Sequence, residues 1–191
     1  MDVMDAIYGR RSIRKYTDQE ISQADLEAIL EAGTMAPSAM NLQQWHFVMV
    51  RDKALIEESR EIMSKVFDTF KPVLTERFSK HPHIVHETGD FMKTLGGAPA
   101  FLLAFISRPD YNNSLPALSG VCAGIENMLL AAYEKGIGSC WLTAPITAHM
   151  ESEFERRFAP GKGRFVAFVT FGYPDEDPPV PPRRSGKYEI L

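Results

Sequence analysis

Two apolar runs, residues 99–106 (Pro-Ala-Phe-Leu-Leu-Ala-Phe-Ile) and residues 165–171 (Phe-Val-Ala-Phe-Val-Thr-Phe), constrain the fold of this chain more than any other feature. A strand with one wet face alternates apolar and polar residues. These runs do not, so each predicts a strand in a sheet that is covered on both faces. Aromatic and branched content predicts a further strand over residues 45–50, and a strand-like segment begins at Cys140, after Gly136 and Gly138. Helices must supply the cover. Leu118, Val121, Cys122, Ile125, Met128, Leu129 and Ala132 recur at three- and four-residue intervals, which predicts a long helix with a wide apolar face. Other helices are read from their caps: residues 3–9, from Asp2 to a stop at Gly9; a helix after Ser22-Gln23-Ala24-Asp25 that carries Leu26, Ile29 and Leu30 and ends at Gly33; residues 53–67 after Asp52; and a helix with Met150, Phe154 and Phe158 after Thr147. Helices alternating with apolar strands predict an α/β or α+β layered domain. With 191 residues, 45% of them hydrophobic, and no internal repeat, one domain over residues 1–191 is expected.

Charge and cysteine usage narrow the classes. A net charge of -4 argues against a nucleic-acid partner, which calls for a broad basic face. No membrane partner is expected, since no apolar run approaches the roughly 20 residues of a span and the N-terminus Met-Asp-Val-Met-Asp is acidic; a cytoplasmic location is the expectation. Cys122 and Cys140 cannot build a disulfide framework and read as small hydrophobes. Residues 75–94 read as the least regular part of the chain. His81, His83 and His86 fall there within six residues, but their spacing matches no zinc pattern and Pro82 stiffens the segment, so no metal site is assigned. A partly helical lid over a pocket is the expectation for about residues 67–93.

Against the acidic balance stands Arg10-Arg11-Ser12-Ile13-Arg14-Lys15-Tyr16, four cations in seven positions. In an extended segment Arg10, Ser12 and Arg14 share one side, because strand side chains repeat every second residue. Two guanidinium forks and a short hydroxyl suit a phosphate or the anionic edge of a heterocycle. A solvated turn is the bland alternative. Ser38, Asn41 and Gln43 lie in a loop before the strand at 45–50, where amides and hydroxyls either make turns or read a ligand's polar edge; composition favours the turn.

Residues 10–16 resemble the N-terminal signature of the flavin-dependent nitroreductase family. Ala36-Pro37-Ser38-Ala39-Met40-Asn41-Leu42-Gln43-Gln44-Trp45-His46-Phe47 resembles the family's second signature, and Gly136-Ile137-Gly138-Ser139-Cys140-Trp141 its third, in the expected order. The resemblance implies a three-layer fold, a central mixed sheet flanked by helices, in an intertwined homodimer with FMN at the interface. It implies that Arg10 and Ser12 bind phosphate and ribityl, with Arg11 beside them. Arg14 would lie near the N1 and C2 oxygen edge, where a cation stabilises the reduced ring. Pro37, Ser38, Ala39, Asn41 and Gln43 would approach from the partner subunit. Thr143 and Ala144 would offer backbone N–H groups near N5, and Arg183, with Arg184 a weaker match, would bring the extended tail of about residues 174–191 to the phosphate.

The implied activity is a ping-pong hydride transfer from NADH or NADPH to a small aromatic or quinone-like acceptor, such as a nitroaromatic, with no side-chain acid, base or nucleophile required. Rival readings are a same-scaffold flavin enzyme of dehalogenase, flavin-destroying or dehydrogenating type, and a non-catalytic FMN-binding protein. Two departures from the family pattern stand out. Pro181 occupies a position where many relatives carry a second cation, which weakens the tail's hold on phosphate. Glu126 stands before Asn127 where many carry Gln, a change expected to touch only the helix interface.

Overall fold

The computed structural model describes residues 1–107 and 115–191. Helices α1 (Val3–Gly9) and α2 (Gln23–Thr34) precede strand β1 (Trp45–Val50). Helices α3 (Lys53–Arg77) and α4 (Pro82–Thr94) then lead to β2 (Ala100–Ile106). Helix α5 (Leu115–Glu134), β3 (Gly138–Leu142), α6 (Ala144–Thr147), α7 (Glu151–Phe158) and β4 (Arg164–Gly172) complete the order. The strands form one sheet in the order β1-β2-β4-β3, every pair antiparallel, with a slip in register at Ala104/Phe105. Its parallel component is a bridge between Ser12 and Ser139, so within the described residues the mixed character expected of the sheet rests on that contact.

β2 is buried at every residue, as its unbroken apolar run predicts. The strand period then divides its side chains between two cores. Phe101, Leu103 and Phe105 meet Met63, Phe67, Val85, Phe91, Met92 and Phe154 from α3, α4 and α7 on one face. Leu102, Ala104 and Ile106 meet Leu26, Ile29, Val121, Ile125 and Met128 from α2 and α5 on the other. The result is three layers, helix, sheet, helix. Phe154 reinforces the first core by stacking on Phe165 at 5.3 Å.

Several sequence expectations are corrected. Residues 67–93 are regular: α3 runs ten residues beyond Phe67, through Pro72, and α4 follows after a short turn. Both helices anchor in the core, through Leu74 on α3 and Val85, Phe91 and Met92 on α4. Thr147 caps no helix; it ends the short α6, and α7 begins after Met150. Helix α5 spans 20 residues and is long and apolar enough to cross a membrane, contrary to the reading that no run approaches that length. Here it is the core helix, with Val121, Ile125 and Met128 fully buried against α2 and the sheet.

Candidate functional site

The basic segment at residues 10–16 is held as an extended strap by its main chain. Ile13 N–H donates to Ser139 O at 2.9 Å, Tyr16 N–H to Gly96 O at 2.9 Å and Thr17 N–H to Tyr173 O at 2.9 Å. Ile13 and Tyr16 are the buried anchors. The Tyr16 hydroxyl donates to Ile13 O and shares a hydrogen bond of 2.8 Å with Thr170 Oγ1. Burial pushes the Tyr16 phenol well above its usual range. It therefore stays neutral, as an anchor should.

With Ile13 and Tyr16 turned inward, the cations turn outward. Arg10, Arg11, Ser12 and Arg14 line a cavity of about 300 Å³ with Pro178, Pro179, Pro181 and Arg183 from the tail. Arg10, Ser12 and Arg14 share this cavity, but Arg11, out of phase with them, lines it too, and Arg183 joins the cluster from 169 positions beyond Arg14. Arg184 is not among the lining residues. Arg11 is tied down by Nη1, which donates to Tyr8 O and Arg10 O, both at 2.7 Å. Arg14 Nη1 reaches Ser12 O at 3.4 Å, while Arg183 makes no ion pair among the described residues. Beneath the strap, burial pushes the Cys140 thiol up despite the opposing pull of Arg14 and Ser12. A neutral, buried thiol is a packing group here.

Two acids that the sequence reading did not assign to the site hold the cluster in place. Glu126 Oε1 lies 3.6 Å from Arg10 Nε, so this residue reaches the cationic site and is not confined to the helix interface. Glu176 accepts the Arg14 N–H at 2.5 Å and fastens the start of the tail to the strap. Neither contact leaves a local signal, since the partners are over a hundred positions apart.

The second-motif residues lie elsewhere. Pro37, Ser38, Ala39, Asn41 and Gln43 form a tight loop in which Gln43 N–H donates to Ser38 Oγ at 3.1 Å and Gln43 Nε2 to Asn41 Oδ1 at 3.1 Å. Met40, Asn41 and Gln43 all have positive φ, of 50°, 55° and 49°. Three non-glycine residues in that region mark stored strain, which persists only where surroundings enforce it. These side chains make the turn's own hydrogen bonds, and Asn41 and Gln43 are exposed. The loop rests against the N-terminal half of α5, where a Cβ on Gly120 would meet Pro37 O at 3.4 Å. Arg10 pairs with Glu126 six residues further along, about 9 Å down the helix axis. None of the loop residues lines the arginine cavity. Thr143, exposed before α6, and Ala144, packed against the first core, do not line it either.

The model of the Nitroreductase family matches residues 7–173. An Archaeoglobus fulgidus protein, named provisionally as an NADH dehydrogenase/NAD(P)H nitroreductase, is 34% identical over 176 residues, covering 90% of this chain and 84% of that protein. Among solved structures, a nitroreductase with bound FMN from Bacteroides fragilis superposes with a TM-score of 0.76 at 27% identity over 100% of this chain and 99% of that one. An iodotyrosine deiodinase bound to FMN and 3-iodo-L-tyrosine gives a TM-score of 0.81 at 26% identity, again over 100% of this chain and 99% of that one. The strap, the strained loop and the glycine turn before β3 all fall inside the matched span, and the chain belongs to the nitroreductase family.

Proposed function

We propose that this oxidoreductase binds FMN and uses NADH or NADPH to reduce small aromatic or quinone-like acceptors, nitroaromatics among them. One observation carries the reading: Arg10, Arg11, Arg14, Arg183 and Ser12 converge on one cavity, and of these cations Arg10 alone is ion-paired among the described residues, to Glu126 at 3.6 Å. The donor set fits the cofactor. A phosphate monoester needs charge-assisted, forked donors, which guanidinium groups supply, and Ser12 adds a short donor between them. When bound, FMN supplies the two-electron carrier that accepts hydride from the nicotinamide and delivers it to the acceptor. The chain's own residues bind and orient. Arg10, Ser12 and Arg183 would hold the phosphate end, Arg14 would compensate negative charge on the ring, and Thr143 and Ala144 would offer backbone N–H groups to it.

A homodimer completes the site in this reading. Pro37, Ser38, Ala39, Asn41 and Gln43 are offset from the arginines of their own chain, so a second copy brings its loop to them. Exposed apolar residues support such an interface: Val3, Met4, Ile7 and Tyr8 on α1, Met35 before the loop and Met40 within it, and Tyr188 and Ile190 on the tail. Surfaces of that kind mark contact sites when they cluster. The outer edge of β1 is also free of a strand partner among the described residues.

The likeness to a deiodinase supports a second reading, reductive dehalogenation of a halogenated phenol on the same scaffold. The test serves both. The visible spectrum of the purified protein is recorded, then NADH and NADPH are added without oxygen, and then a nitroaromatic, a quinone or a halophenol. Flavin bands that bleach with nucleotide and return with nitroaromatic or quinone support the first reading; halide release supports the second. Bound flavin with no turnover of any acceptor indicates a binding protein. Failure to bind added FMN rejects the proposal.

A further inference from the structure

A cavity of about 400 Å³ lies between α3 and α4 and shares no lining residue with the arginine cavity. Its apolar lining comes from Phe67, Phe78 and Val85. Gly89 lets the Phe67 ring lie against α4, since a Cβ there would stand 2.6 Å from Phe67 Cζ. Lys71 on α3 and Lys93 on α4 reach the same space from opposite helices. Lys93 Nζ sits 5.3 Å from the Phe67 ring centroid, a cation–π contact that keeps the ammonium at the wall. Among the described residues neither lysine forms an ion pair. Asp90, the acid in the lining, is engaged by His86 Nδ1 at 2.8 Å.

Lys71 and Lys93 both line this partly apolar hollow, so an anion seated between them would gain from both ammonium groups. The aromatic lining demands that the anion carry a flat apolar body, because rings favour offset or edge contacts with other rings. The volume falls within the range of small-molecule sites, roughly 300–1,000 Å³. We propose that this cavity binds a planar aromatic carboxylate, its ring against Phe67 and Phe78 and its carboxylate between Lys71 and Lys93. The site stands independently of bound flavin. Inorganic phosphate, which has no apolar body, is not its ligand.

Calorimetric titration of the purified protein with 2-naphthoate tests the site, with 2-naphthamide and inorganic phosphate as comparators. Saturable binding of the acid at one site per chain is expected, with the amide weaker by about tenfold or more, as loss of charge-assisted contacts implies. A Lys71→Gln/Lys93→Gln double variant should lose the preference for acid over amide. Both side chains are exposed, so its thermal midpoint should match that of the parent. Equal binding of acid and amide, phosphate binding as tight as naphthoate, no binding of the acid, or unchanged acid affinity in the double variant would each overturn the proposal.

Discussion

Arg14 divides its duties between main chain and side chain. Its N–H is donated to Glu176, which anchors the tail, while its guanidinium lines the cavity. Removing the side chain therefore leaves the anchor in place. Arg14→Ala is expected to weaken FMN binding or to lower the flavin's reduction potential, and an unchanged affinity and potential would remove that role. Arg183→Ala tests the phosphate end alone. A charge-assisted contact is worth about 1.5–3 kcal/mol, so the dissociation constant should rise by roughly tenfold or more in a fluorescence titration. His46 offers a pH prediction outside the site. Burial first, and Lys162 second, hold its imidazole below the usual value of about 6.5. The unfolded chain thus takes up the proton more readily, so this residue's contribution is full above about pH 6.5 and is lost as pH falls through the lowered folded value. Urea midpoints at pH 7 and pH 5 should fall further apart in the parent than in His46→Gln.

At the level of elements, legibility followed the strength of local signals. The strand at Trp45–Val50 was readable to the residue because aromatic and branched side chains crowd it, and the capped α1 and α2 were readable from Asp2 and Ser22. Helix α4 was not. It starts after His81 without a side-chain cap, and its buried Gly89 and internal polar residues blur the apolar stripe. Thr147 misled because threonine is a good cap in general, while here the backbone turns at Met150 with no side-chain cap. Pro72 lies in the last ten residues of α3, beyond the Phe67 end read from the sequence. A proline in a helix interior removes a hydrogen bond and crowds the preceding turn, at a cost of about 3 kcal/mol. The helix continues because residues on both sides of the proline are packed, Met63, Val66 and Phe67 before it and Leu74 after it. Packing overrode propensity. Since Pro72 itself is exposed, Pro72→Ala should recover part of that cost and raise stability by about 1–3 kcal/mol in urea unfolding. A lower midpoint would mean that the core depends on the proline's distortion.

On the scale of the whole molecule, the sequence displayed the arginine strap but not the acids that hold it. Residues 10–16 form a run, whereas Glu126 and Glu176 reach Arg10 and Arg14 through tertiary packing alone. The same limit applies to the two halves of the proposed FMN site, which lie on separate stretches of α5. In the dimer reading, the tail is the element on which that assembly turns. It brings Arg183 to the strap, and beyond it Tyr188 and Ile190 stand at 88% and 94% exposure with no cover from their own chain. Large side chains left so open, on a segment without secondary structure, gain little from folding within one protomer and much from lying across another. Deleting residues 185–191 removes these side chains and keeps Arg183 and Arg184. In the dimer reading, light scattering should then show a shift from dimer toward monomer on dilution. FMN affinity should fall with it, because the loop carrying Ser38 and Asn41 is lost from the opposite face of the site. A variant that remains dimeric at all concentrations would show that the tail's apolar end does not secure the interface. A variant that turns monomeric yet binds FMN as tightly as the parent would show that the arginine strap and Arg183 suffice within one chain.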